Sequence, residues 1–281
     1  MLLWMGALLL FHTPGMAGDT GLSFNDLRGR LVRDGFDANR VDKVYSRPQV
    51  VFEIEDAARF FMHNESKLNY GQFLSEQSIR SAKGYMETFK KELEKTEKAL
   101  GVEKEIITAI ILVETRLGVL LGNTSTLNIL STMAALSDDR LRALFWAEIP
   151  PSKRFSKKAY EEKATRKADW AYTELKAFLS VSGKENFDPV SIKGSYAGAM
   201  GIAQFMPSNI LKLARDGNRD GRIDLFDHAD AIMSIANYLK HYRWHKGIDK
   251  KKAYRVLLSY NHSRPYAETL LAIAERLKAA K

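Results

Sequence analysis

Three stretches of this chain carry side chains whose type and spacing could do chemistry. The first is VEKEIITAIILVETRLG, residues 102–118. At about 100° per residue it reads as one amphipathic helix. Glu114 falls on its apolar stripe, between Ile107, Ile110, Ile111 and Leu117. A carboxylate placed there faces the interior or a cleft in it. Loss of hydration disfavours the charged form and raises the pKa. That suits a general acid, which must hold its proton near neutral pH. The alternative is a buried Glu paired with a cation, such as Arg116 or a distant residue.

The second stretch is KGSYAGAMGIAQFMPSN, residues 193–209. Gly194, Gly198 and Gly201, with Ala197 and Ala199, let backbones approach closely. No Gly-Lys-Ser/Thr follows, so this is not a phosphate-binding loop. A tight helix–helix contact accounts for the small residues and leaves Gln204 unexplained. Pro207 opens a new helix, with Ser208 as its expected N-cap.

The third stretch is DGNRDGRIDLFD, residues 216–227. Asp216, Asn218 and Asp220 alternate, Gly221 permits a sharp turn, and Asp224 and Asp227 follow. This is the oxygen-ligand spacing of an EF-hand loop, with Asp in place of Glu at the last position. The Arg222 carbonyl would add a backbone ligand, and Ile223 would pack inward. A bound calcium ion is expected, because the clustered carboxylates would otherwise repel one another; the alternative is an Asp/Gly-rich turn without metal.

The elements that must position these groups read as helices. SFNDLRGRLVRDG stops at Gly35, DANRVDKVYSRP ends before Pro48, and EIEDAARFFMHN is a third candidate. Ile79, Ala82, Met86, Phe89 and Leu93 predict one helix from Ser78 to Gly101, with Glu87–Lys91 and Glu94–Lys98 pairs on its outer face. Two short helices are expected between Thr126 and Ala147. The charged run PPSKRFSKKAYEEKATRKADW reads as a solvated loop and helix face, with a mobile flap over a cleft as the sharper alternative. Apolar helical spacing resumes from Trp170 to Val181. NILKLA and HADAIMSIANYLKHY flank the oxygen-rich loop. Two more helices, Ala253–Tyr260 and Tyr266–Lys278, follow, separated by a turn. The fold class is mainly α, with no alternating strands and no clear linker.

Composition narrows the function. The 281 residues carry a net charge of +9 and no cysteine. That excludes disulfides, thiolate metal sites, cysteine nucleophiles and a cysteine-linked lipid anchor. A basic surface attracts polyanions, but no RNP-type, zinc-finger or basic-zipper pattern appears, so nucleic acid is not an expected partner. Residues 1–17, MLLWMGALLLFHTPGMA, read as a cleaved export signal, with an uncleaved membrane tether as the rival.

Taken together, GVEKEIITAIILVETRLG, GSYAGAMGIAQFMPSN, the DGNRDGRIDLFDHADAIMSIANYLKHYRW run and SYNHS resemble the type-B lytic murein transglycosylases. The motifs stand in the family's order, and the match runs from about Phe24 to Leu277. The resemblance implies a lysozyme-like helical core at about 78–281, an additional N-terminal helical part at about 23–77, and an EF-hand-like loop. The catalytic region as a whole would be 18–281. It further implies that Glu114 is the catalytic acid and base. Ser195 and Gln204 would hydrogen-bond the glycan, and Tyr260 and Asn261 would lie beside the carboxylate. Asp216, Asn218, Asp220, Arg222, Asp224 and Asp227 would hold a structural Ca2+, with no organic cofactor.

The implied partners are peptidoglycan glycan strands, with cell-wall synthesis or secretion machinery as candidate protein partners. The implied setting is a periplasmic monomer that is not a lipoprotein. Leu117 and Ile202-Ala203 depart from the family pattern, and residues 148–168 have no clear counterpart in it.

The implied chemistry is cleavage of a MurNAc–GlcNAc bond with closure of the sugar's own C6 hydroxyl onto C1. A hydrolytic muramidase would need a second carboxylate roughly 5–9.5 Å away. Glu103 shares the face of Glu114, but eleven residues along a helix put it roughly 16 Å off. Asp138, Asp139 and Glu148 remain candidates. A calcium-stabilised glycan-binding protein without catalysis is the non-enzymatic alternative.

Overall fold

The computed structural model describes residues 23–62 and 69–279; the side chain of Lys153 and the 1–17 segment lie outside the described residues. Local sequence sets most helix starts. Asp37, Ser75, Ser125, Asp138, Ser156, Asp227, Asp249 and Ser263 each accept a backbone N–H from the first turn that follows, satisfying donors that have no partner inside the helix.

The helices in order are α1 Asn25–Arg33, α2 Ala38–Tyr45, α3 Ile54–Met62, α4 Glu76–Thr88, α5 Lys90–Leu100, α6 Lys104–Thr115 and α7 Thr126–Ala134. There follow α8 Asp139–Glu148, α9 Lys157–Lys184, α10 Pro207–Leu213, α11 His228–His241, α12 Lys250–Tyr260 and α13 Arg264–Lys278. A short antiparallel pair, β1 Thr124–Ser125 with β2 Lys193–Gly194, registers Thr124 on Gly194.

Helix α6 runs through the middle of one half, against α13, α4, α5 and α11. In the other half α7 lies along α9, with α3 packed beside it. A single hydrophobic cluster runs from Phe24 to Leu277, so α1–α3 share the core of the later helices.

Four expectations change. Helix α6 is not amphipathic: every residue from Ile106 to Thr115 is buried, because neighbours cover it on all sides. It ends at Thr115 rather than Gly118.

The helix expected over 78–100 is two helices. They break at Phe89 (φ −105°, ψ 30°), whose ring stacks on His228 at 4.2 Å. Glu94 pairs with Lys104 at 3.7 Å instead of Lys98.

The charged run is no flap. From Lys157 it is the first half of the 28-residue α9, because Tyr160, Ala164 and Ala168 give it a buried stripe.

Ser208 does not cap α10. It is the second residue of that helix, after Pro207, and the buried Glu174 of α9 receives both its N–H (2.9 Å) and its hydroxyl (2.8 Å).

Candidate active site

Glu114 is the next-to-last residue of α6 and is 3% exposed. The chain leaves the helix through three successive left-handed residues, Arg116 (φ 48°), Leu117 (φ 66°) and Gly118 (φ 88°). For the two that carry a Cβ this conformation costs roughly 1–2 kcal/mol each. The turn persists because it is over-determined. The Leu117 N–H donates to the Ile111 carbonyl at 3.1 Å. The Thr115 hydroxyl accepts from the Gly118 N–H at 3.0 Å and reaches the Ile202 carbonyl at 3.1 Å. A Cβ on Gly118 would stand 2.8 Å from the His228 ring. Strain of this kind concentrates at functional sites.

The left-handed turn aims Arg116 outward. Its guanidinium donates to Gln72 at 2.5 Å and lies 5.5 Å from the Phe73 ring. The buried Glu–Arg pair considered as the alternative is therefore not formed with Arg116. One partner of Glu114 is Tyr266, which donates its O–H to Oε1 at 2.7 Å. Tyr266 is fully buried at the start of α13. Burial and the nearby Glu114 charge hold its phenol well above the usual tyrosine range, so it stays a donor. Burial of Glu114 disfavours its ionised form, and donation from Tyr266 favours it.

Sequence reasoning missed Tyr266 and Thr115. Tyr266 reads there only as the first residue of a helix. Thr115 carries a weak signal, as a hydroxyl on an otherwise aliphatic helix.

The 193–205 segment forms a compact loop beside the α6 terminus. Ser195 is buried, and its Oγ accepts the N–H groups of Ala197 (3.3 Å) and Ala199 (3.0 Å), closing a tight turn. Gln204 (φ 49°) directs both amide hydrogens into the protein, to Leu121 O at 3.2 Å and Gly201 O at 2.8 Å. Gly201 (φ 68°) admits no side chain, since a Cβ would lie 2.5 Å from the Leu225 carbonyl.

Tyr260 donates to Ala203 O at 2.6 Å and stacks on Tyr266 at 6.4 Å. Burial, then the Glu114 charge, push its phenol upward too. Asn261 is buried at the end of α12, and its carbonyl accepts from Ser263. Tyr260 thus stands in the electrostatic field of Glu114. Ser195 and Gln204 shape the adjoining loop.

The other carboxylates are engaged elsewhere. Glu103 accepts from the Trp244 indole at 2.7 Å. Asp138 caps α8, and Asp139 pairs with Arg142. Glu148 ends α8, a helix packed on α3 rather than in the wall of α6.

In the 216–227 loop, Asp216 accepts three loop N–H groups, from Arg219, Asp220 and Gly221. Asn218 accepts from Asp220, and Asp220 from Arg222. Asp224 accepts from Phe226, and Asp227 caps α11. Two residues outside the expected ligand set brace the loop. The buried Asp230 accepts from Gly217 (2.8 Å) and Asp224 (2.7 Å), and Glu185 accepts from Ile223 at 2.9 Å. Among the described residues, no three His, Cys, Asp or Glu side chains converge as a metal cluster.

Residues 22–252 match the family model described as the transglycosylase SLT domain. The chain belongs to this family. The matched region holds Glu114, Ser195, Gln204 and the oxygen-rich loop, and stops short of Tyr260, Asn261 and Tyr266.

A curated relative of this SLT-domain chain is the membrane-bound lytic murein transglycosylase B of Escherichia coli (strain K12). It is 34% identical over 176 residues, which is 63% of this chain and 41% of the relative. The match thus spans about two fifths of that relative's length. Among solved structures, the E. coli lytic transglycosylase Slt35 in complex with calcium superposes with a TM-score of 0.71 at 23% identity, covering 92% of this chain and 93% of that one. SltB3 of Pseudomonas aeruginosa in complex with NAG-anhNAM-pentapeptide gives 0.69 at 19%, covering 91% and 80%. These two likenesses establish the fold. Among the described residues no helix is long and apolar enough to cross a membrane.

Proposed function

We propose that this chain is a peptidoglycan lytic transglycosylase that breaks the MurNAc–GlcNAc β-1,4 bond and leaves a 1,6-anhydromuramoyl end. The observation that carries the reading is Glu114, buried at a strained helix terminus with one carboxyl oxygen held by Tyr266. Membership of the SLT family and the activity named for the E. coli relative support it.

Protonated Glu114 gives its proton to the glycosidic oxygen as that bond breaks, and positive charge develops at the muramoyl C1. The substrate's N-acetyl group assists. Glu114, now ionised, takes the C6 hydroxyl proton as O6 closes onto C1. Attack from within the same sugar gains from proximity over attack by water. Tyr266 holds Oε1 and so orients the carboxyl that carries the proton. Ser195, Gln204, Tyr260 and Asn261 are the proposed glycan contacts. Hydrolysis through a second carboxylate is disfavoured, because Glu103, Asp138 and Asp139 are committed to other partners. A substrate of this kind places the protein in the periplasm.

The 216–227 loop is the proposed calcium site. Its donors are all oxygens, as a hard cation requires: Asp216, Asn218, Asp220, Asp224, Asp227 and the Arg222 carbonyl. The ion's part is structural. It would neutralise the loop's carboxylates, while Leu225 of the same loop accepts from the Ile202 N–H at 2.8 Å and so braces the segment beside Glu114.

Mass spectrometry of digested sacculi tests the enzymatic reading. Anhydro ends are expected. Reducing muramoyl ends would instead indicate hydrolysis, and an unchanged sacculus would leave only a binding protein. Chelation tests the metal: the melting temperature should fall and recover with calcium, and an unmoved melting curve would count against an ion.

A further inference from the structure

The first half of α9 concentrates charge. Residues 151–170 hold seven Lys or Arg and three Asp or Glu, a net +4 in that stretch against +9 for the whole chain. Several of these cations lie over aromatic rings. Lys167 is 3.8 Å from the Phe60 ring and 5.2 Å from Trp170. Lys163 is 4.5 Å from Phe61 and 5.4 Å from Phe155, and donates to the Phe61 carbonyl at 2.7 Å. Arg154 and Lys157 both stand 5.2 Å from Trp146.

Lys163 and Lys167 make no ion pair among the described residues. The Glu161 carboxylate on the same helix is taken by Arg142 and Lys157, at 2.8 and 3.0 Å. Four residues apart, the two amines share one face and repel each other. Burial, then the Lys163 charge, bring the Lys167 amine down to about 8. A bound anion would relieve both penalties.

A ring contact links this face to the loop beside Glu114. The Phe60 ring meets Trp170 at 5.5 Å and Tyr196 at 6.2 Å, and Tyr196 directly follows Ser195.

We propose that the α9 face bearing Lys163 and Lys167, floored by Phe60 and Phe61, binds the carboxylates of the peptides carried on muramoyl sugars. The proposal rests on the glycan-cleaving reading and adds what that reading lacks, a site for the anionic part of the strand. Charge complementarity favours this occupant: muramoyl peptides carry carboxylates out from the glycan, whereas a strand stripped of its peptides keeps only the lactyl carboxylate held close to each muramoyl ring. An anionic bilayer fits less well, because Phe60 and Phe61 are buried and cannot enter a lipid interface.

The test is binding by full-length protein carrying Glu114→Gln, so that strands stay intact. Two ligands are compared: soluble glycan strands with their peptides, and the same strands after enzymatic removal of the peptides. The parent should prefer peptide-bearing strands by roughly five- to tenfold, the scale of two partly screened ion pairs. Adding Lys163→Gln and Lys167→Gln removes both charges and keeps long stems over the rings. It should bring the preference close to one, and the corresponding Arg pair should retain it.

An absent preference in the parent, or an equal one in the Gln pair, overturns the proposal. So does a Gln pair that loses binding to phosphatidylglycerol vesicles and keeps its preference on strands, since the face would then serve a membrane. Should the Gln pair not fold, the parent's preference must decline with added salt, and a salt-independent preference overturns the idea. Failure of the enzymatic reading shows separately, in the wild-type product spectrum.

Discussion

Helix α6 buries every side chain from Ile106 to Thr115, whereas α9 leaves Lys157, Lys158, Glu162, Thr165 and Arg166 exposed in its first ten residues. Both helices carry polar groups, under opposite solvent conditions. Around α6 a polar group must find a protein partner, because an unmet one costs about 1–3 kcal/mol. Glu114 meets Tyr266 and Thr115 meets Ile202 for that reason. On α9 water satisfies what the protein does not, and ion pairs there contribute little. One region is built for fixed geometry at one atom. The other is built for attraction without a fixed pose.

The sharpest way to break the comparison is Glu114→Gln. We expect a loss of about 10²–10⁴ in anhydro-product formation, with a melting temperature close to that of the wild type. Retained cleavage of purified sacculi would remove Glu114 from the chemistry. The next largest effect is on stability. Gly201→Ala forces a Cβ against the Leu225 carbonyl at a positive φ, and should cost about 2–4 kcal/mol in denaturant unfolding. A neutral result would mean that the loop beside Glu114 is not rigid.

Tyr266→Phe should cost about 1–3 kcal/mol and move the pH–rate profile. The lost O–H donor favours ionised Glu114, so its removal raises the pKa of the acid. The profile limb set by that group then shifts to higher pH; an unmoved limb would reduce Tyr266 to a packing role. Lys158→Ala on exposed α9 is the smallest change, within about 0.5 kcal/mol. A larger loss would show that the charged face is part of the core's stability.

Much of the fold was legible because its signals are local. Gly101 ends α5 in a left-handed conformation (φ 69°), and Asp37, Ser125 and Asp227 cap the helices they precede. The turn glycines at 198, 201 and 221 all take the positive φ that their type permits. The solvent relations of the helices were less legible. Helix α6 read as amphipathic because periodicity ranks residues only within a helix. It cannot show that α13, α4, α5 and α11 enclose it. The break at Phe89 was hidden as well, since the ring its side chain stacks on, His228, lies far along the chain.

By itself the sequence determined most helix starts, the glycine-dependent turns, the spacing of the loop oxygens and the presence of a carboxylate on an apolar helix. Each of these is decided by neighbours within a turn or two. Only the tertiary structure decided that Tyr266, 152 residues away, holds Glu114, that Thr115 ties α6 to Ile202, and that Arg116 turns away. It also decided that Lys163 and Lys167 rest on Phe60 and Phe61. Burial and hydrogen-bond partners come from chain segments that meet only in the packed core, and no local pattern records which segments those will be.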